Sequence, residues 1–310
     1  MSSSFFQEQF LNWESLQPQL GYTEQPTQPL DFWALQPNAK NALSLFLRNP
    51  HRSLMVLKAD DQIDYAVLLM PLVRKMLPQV RSIFGVNYIV EQGDSFSFPR
   101  IVVEPAQSLE DNFSASGEVV TALYCDQFQL FGSVKVHPGS QDIQLHPGLI
   151  HRANGGVLIL SASTLLAQFD LWQRLKHILQ TKRFDWYSAH PFKTLPCEIP
   201  SYPLDTKVIV LGNRTELATL GELEENLYNF ADYAEIESYL SVADINEQKN
   251  WVGYVHGLAE ENHLALDFSA LHKLYQFLVR ESENRFLINT SPTILKNILL
   301  NTATLAQKHH

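Results

Sequence analysis

The chain has 310 residues, length for about two domains, and 45% of them are apolar, so it can bury a core without metal or disulfide staples. Lys plus Arg number 23 against 33 Asp plus Glu, a formal charge of −10 that disfavours a generic nucleic-acid binder. Cys125 and Cys197 stand far apart with no C-x-x-C and no close His, so reduced thiols are expected rather than a zinc site or a disulfide framework.

Residues 1–20 have no basic leader and are interrupted by Glu8, Glu14 and Pro18, so they do not read as a signal peptide. Ser4 and Gln7 make a capping-box pattern, and the spacing of Phe6, Phe10 and Trp13 predicts a short amphipathic helix. A polar, Pro-interrupted linker follows. Pro37 and Asn49-Pro50 then bracket a helix carrying Ala39, Ala42, Leu43, Phe46 and Leu47. The longest apolar run, 65–73, contains Pro71 and falls far short of the roughly 20 residues that cross a bilayer. No membrane segment is expected.

Short β-rich runs recur at 54–57, 88–90, 101–103, 157–160 and 208–211, several of them apolar without alternation, as in strands buried on both faces of a parallel sheet. Helical stretches separate them. The clearest, 164–180, puts Leu165, Phe169, Trp172, Leu175 and Leu179 on one face, with Arg174 and Lys176 off it. The runs at 54–57, 101–103, 157–160 and 208–211 are expected to share one largely parallel sheet in an α/β domain. Beyond about residue 240 the period is helical throughout. Asp244 with Glu247 caps one helix, Leu271, Leu274, Tyr275 and Leu278 stripe a second, and Ser291-Pro292 starts a third.

The most distinctive segment runs from Pro147 to Leu160: Pro147-Gly148-Leu149-Ile150-His151-Arg152-Ala153-Asn154-Gly155-Gly156, a polar turn, feeds a buried strand, Val157-Leu158-Ile159-Leu160. With Leu130-Phe131-Gly132 upstream and Leu165-Leu166-Ala167-Gln168 downstream, it closely resembles the AAA+ module of Lon-related proteases. The resemblance continues through Trp172 to Phe184 and Lys207 to Leu211, and more loosely after residue 240. It implies a P-loop NTPase-like sheet flanked by helices and followed by a small helical lid. The expected divisions are 1–35 for the N-terminal helix and linker, 36–240 for the α/β domain and 241–310 for the lid. His151, Arg152 and Asn154 read either as a turn held by side-chain hydrogen bonds or as a surface near a central pore or subunit boundary.

The family's chemistry needs a G-x-x-x-x-G-K-[ST] loop, because successive backbone N–H groups cradle the phosphates. None of the 13 glycines here precedes a lysine. After strand 54–57 come Lys58, Ala59, Asp60, Asp61, Gln62, Ile63 and Asp64, whose three carboxylates repel a polyanion. The strand at 157–160 should end in a Mg²⁺-holding acid but runs into Ser161-Ala162-Ser163. Asn213 can stand as the polar sensor or as a turn residue, and the lid arginine is replaced by Asn301. Ala59, Asp60, Asp61, Gln62, Asp64, Ser161, Asn213 and Asn301 are thus the expected remains of the pocket. No catalytic residue, metal site or cofactor is expected, although the family uses ATP and Mg²⁺. His137 and His146, each before Pro-Gly, read as turn residues, and the basic cluster Arg174, Lys176, Lys182 and Arg183 reads as a solvated helix face.

The resemblance implies a cytoplasmic homo-oligomer, ring-forming in the family, that handles protein substrates beside the proteolytic domain of a longer gene product. Scaffolding is the expected role. An active ATP-binding module of an ATP-dependent serine protease and a stand-alone protein-binding module are the rivals.

Overall fold

The structure is a computed structural model that describes residues 18–22, 28–60, 62–78, 82–92, 99–136, 142–188, 194, 195 and 197–308. The helix expected over the first residues, Asp61, His137 and the terminal His309-His310 lie outside them. The chain divides into two compact units, residues 41–236 and, together, the described residues up to 40 and from 237 onward.

Helix α1 (Pro37–Arg48) carries the chain into the first unit. There follow β1 (Leu54–Lys58), α2 (Gln62–Met76), β2 (Phe84–Glu91), β3 (Arg100–Pro105), β4 (Phe113–Ala115), β5 (Val119–Ala122), α3 (Gln127–Phe131), β6 (Ser133–Val136), β7 (Ile143–His146) and α4 (Leu149–Arg152). The second half holds β8 (Val157–Ser161), α5 (Ala162–Ala167), α6 (Phe169–Thr181), β9 (Arg183–Phe184), β10 (Tyr202–Pro203), β11 (Lys207–Gly212), α7 (Arg214–Leu223), α8 (Leu227–Phe230) and β12 (Ala231–Glu235).

Five strands make one sheet in the order β12-β1-β11-β8-β5, every neighbour parallel. This is the expected P-loop NTPase-like α/β architecture. Its three central strands are buried almost throughout, which is why they read as unbroken apolar runs. Each such Val, Leu or Ile contributes about 1.5–3 kcal/mol of burial.

Two expectations about this unit need correction. Residues 101–103 do not join the parallel sheet; they lie in β3, which pairs antiparallel with β2 in a separate three-stranded sheet with β4. A short apolar run has no orientation written in it, and here Arg100 and Glu104 keep one face wet. The places are filled by β5 and by β12, whose Ala-Asp-Tyr-Ala-Glu sequence is polar because it is an edge strand. The helix expected over 164–180 is two helices. It breaks at Gln168, whose backbone is non-helical and whose Nε2 donates to the Cys125 carbonyl (3.3 Å).

The second unit begins with a strap, residues 18–22 and 28–36, containing a 3-10 turn (Phe32–Ala34) capped by Asp31. It continues with β13 (Tyr239–Ser241), α9 (Ile245–Glu261), α10 (Phe268–Glu281), β14 (Leu287–Asn289) and α11 (Pro292–Lys308). β13 and β14 pair antiparallel. Asp244 and Asp267 cap α9 and α10 by accepting the Asn246 and Ser269 N–H groups. Trp251, Val255, Leu271, Leu278 and Leu295 form the buried centre. No described helix is long and apolar enough to cross a membrane.

Candidate functional site

Because the sheet is parallel, β1, β11 and β8 end on the same carboxyl edge, the place where open α/β sheets bind ligands. β1 ends at Lys58 and α2 begins at Gln62, leaving only residues 59, 60 and 61 between them. The Ala59 N–H donates to the Gly212 carbonyl (2.9 Å), so even the first of these continues the ladder. Ala59 is fully buried and Asp60 exposed; Asp61 and the Gln62 side chain lie outside the described residues. Asp64 is half-buried in the first turn of α2, where the helix dipole favours a negative charge. The protein's own acid therefore stands where a P-loop would draw phosphate.

The basic group that ends β1 is tied back. Lys58 Nζ forms an ion pair with Glu235 at the end of β12, and that hydrogen bond raises the lysine pKa. Tyr233 donates to the other Glu235 oxygen (3.3 Å). Lys58 was visible in the sequence as the last cation before the acids, but Glu235, its partner from a distant segment, carried no local signal.

Ser161 and Asn213 cap helices. Ser161, 1% exposed, accepts the Thr164 N–H (3.4 Å) at the start of α5 and hydrogen-bonds to the Ser163 hydroxyl. Asn213 accepts the Glu216 N–H (2.9 Å), and Glu216 accepts the Asn213 N–H (2.9 Å), a full capping box for α7. Between them Gly212 is tightly packed. A Cβ there would lie 2.6 Å from Leu217 and 2.8 Å from Ala162. Ser161, Asn213 and Ala59 thus follow three adjacent strands, whereas Asn301 is an exposed residue of α11 in the other unit. Among the described residues none makes a P-loop, and β8 ends at Ser161 where an acid would hold Mg²⁺. Among the described residues no group of three or more His, Cys, Asp or Glu could hold a metal ion.

The polar turn lies at the opposite, amino edge. His151 is buried at 1% exposure among Phe113, Phe184, Trp186 and Tyr202. Its Nε2–H donates to the Phe131 carbonyl (3.1 Å), so Nδ1 is the acceptor for the Tyr202 hydroxyl. Burial lowers its pKa to about 3. Asn154 accepts the Asp205 N–H (3.0 Å), the Thr206 hydroxyl donates to the Ala153 carbonyl (2.8 Å), and Gly155 N–H donates to Asp205 (2.8 Å). Gly155 has φ +73°, and a Cβ on it would strike the Phe84 ring at 2.3 Å. These bonds set β8 between β5 and β11, so of the two readings the turn held by hydrogen bonds describes His151 and Asn154. Arg152 is exposed and stands 3.9 Å from an exposed Glu118.

The basic cluster is a solvated face at Lys182 and Arg183, which are exposed, whereas Arg174 and Lys176 are half-buried. Arg174 lies over the Phe131 ring (4.4 Å), with its pKa lowered to about 10 by burial; Lys176 pairs with Glu224 (2.7 Å) and Lys182 with Asp205 (3.2 Å), and Arg183 donates to Ser201 (2.7 Å). Acids, an aromatic and a serine from other segments supply these partners.

Residues 116–234 match the LonB-like AAA domain family. A Lon protease homolog of Haemophilus influenzae is 66% identical over 97% of this chain and 50% of its own length. One from Escherichia coli K12 is 38% identical over 74% of this chain and 38% of its own. The chain spans about half the length of the first relative and less of the second. Among solved structures, NtrX from Brucella abortus aligns over 84% of this chain and 49% of that one, at 12% identity and a TM-score of 0.43. By the domain match and the two relatives, the chain is similar over most of its length to Lon protease homologues, and its residues 116–234 to the LonB-like AAA domain.

Proposed function

We propose that this chain is the AAA+-like, non-proteolytic portion of a Lon-related protease homologue whose nucleotide site no longer binds ATP, and that it serves as a scaffold or substrate-handling module. The observation that carries the reading is the β1–α2 connection. Residues 59, 60 and 61 offer no glycine, and a phosphate cradle needs a loop of free N–H groups before the helix. The ion-paired Lys58 and the helix-capping Ser161 and Asn213 support it, since each is engaged where a nucleotide would need it unbound. In this reading the module assembles with copies of itself, handles protein substrates in the cytoplasm and positions a proteolytic domain encoded in the same longer product.

Calorimetric titration with ATP and ADP, with and without Mg²⁺, tests it. No heat of binding is expected up to millimolar nucleotide, and a micromolar Mg²⁺-dependent site would favour the ATP-binding rival. The purified chain should likewise leave casein intact and take no label from fluorophosphonate probes.

A further inference from the structure

Outgoing and returning stretches of the chain meet at a buried polar point inside the helical unit. Gln36, 3% exposed, directly precedes α1, and its backbone carbonyl accepts the Lys40 N–H (3.0 Å) to close the first turn. Its side chain is left to read the backbone of Glu237 in both directions. Nε2 donates to the Glu237 carbonyl (2.9 Å), and Oε1 accepts the Glu237 N–H (2.9 Å). The same carbonyl accepts the hydroxyl of fully buried Thr290 (3.1 Å), and the Thr290 N–H donates to Ser238 (3.0 Å).

A second glutamine does the same at the other end of the strap. Gln248 on α9 accepts the N–H groups of Gly21 (2.8 Å) and Tyr22 (3.2 Å) and donates to the Val242 carbonyl (2.9 Å). Between these two points the strap lies on α9. Leu30 N–H donates to the Gly253 carbonyl (3.1 Å), Phe32 meets Tyr254 edge-on at 5.9 Å, and a Cβ on Gly257 would come within 2.5 Å of the Leu30 carbonyl oxygen. Only glycine on α9 admits the strap backbone so closely.

We propose that the strap, residues 18–22 and 28–36, and the returning segment, residues 237–242, form one cooperative clasp set by Gln36 and Gln248, so that loosening either end releases both. The sequence separation is large, Gln36 and Thr290 are buried, and each glutamine ties strap to return, which is the arrangement that opens as a unit rather than bond by bond. The clasp is a conformational device of the helical unit and does not depend on whether nucleotide binds.

Amide hydrogen exchange on the full chain tests it from both ends, because coupling between two sites is reciprocal. Gln36→Ala removes bonds at Glu237 only, yet exchange should rise on the order of tenfold at Leu30, Gly21 and Tyr22 as well, the effect of about one lost hydrogen bond. Gly257→Ala, which strikes the strap at Leu30, should accelerate exchange at Glu237. If that variant does not fold, Gln248→Ala supplies the same perturbation from the strap side. Amides of the parallel sheet, such as Val210, should not change. Acceleration confined to the residue whose own bond was cut would overturn the clasp, and so would equal acceleration everywhere, which marks global destabilisation.

Discussion

The amino and carboxyl edges of the parallel sheet satisfy their polar groups in different ways. At the amino edge, the turn into β8 buries His151 and Asn154 with a defined partner for each, and its glycines fit against Phe84 and Glu118. At the carboxyl edge, Ser161 and Asn213 cap helices, Lys58 is paired to Glu235, and an acid occupies the first turn of α2. A packing turn works when its polar groups are satisfied from within, whereas a ligand site works only when some are held unsatisfied until the ligand arrives. At both edges here the named groups, His151, Asn154, Ser161, Asn213 and Lys58, have partners within the protein. In the reading proposed above, the family signature persists for what it does to strand register after the chemistry at the other end of the same strand has gone.

The largest test of this contrast is His151→Ala. It removes two buried hydrogen bonds and opens a cavity among four aromatic rings, and it should cost about 3–5 kcal/mol in urea unfolding followed by tryptophan fluorescence. A loss under 1 kcal/mol would place the turn with the surface loops. pH gives a second handle on the same residue. Burial holds native His151 neutral down to pH about 3, while in the unfolded chain it takes a proton near pH 6.5. The unfolded state binds the extra proton in that window, so this contribution is complete above pH 6.5 and falls by about 1.4 kcal/mol per pH unit below it. Stability measured from pH 7 to 4 should show that slope, and His151→Gln should flatten it.

Asn154→Ala leaves the Asp205 N–H without its acceptor and should cost about 1–3 kcal/mol, with hydrogen exchange rising first at the amino ends of β8 and β11. The carboxyl edge should respond much less. Lys58→Met breaks a partly exposed ion pair and should change stability by less than about 1 kcal/mol; a larger loss would mean the pair holds β12 on the sheet. The smallest effect expected is that of nucleotide. Millimolar Mg-ATP should move the melting temperature by less than about 0.5 °C, because a ligand stabilises only in proportion to its occupancy.

Periodicity and composition made much of the fold legible. The unbroken apolar runs at β1, β8 and β11 could only be covered on both faces, and the Pro37 and Ser291-Pro292 signals marked helix starts that the structure places at Pro37 and Pro292. The absence of Gly-Lys and the acids after Lys58 were likewise plain in one dimension, since a phosphate loop is a local motif. What stayed hidden was whatever depended on a distant partner. The run at 101–103 turned antiparallel because β2 lay beside it, and β12 was too polar to be read as a strand until β1 supported one side of it. Nothing near Lys58 announced Glu235, and nothing near Gln36 announced Glu237. Local propensity and motif chemistry are properties of neighbouring residues, so the sequence alone determined them. Strand orientation, hydrogen-bond partners and the tautomer of His151 are properties of residues brought together by folding, so only the tertiary structure decided them.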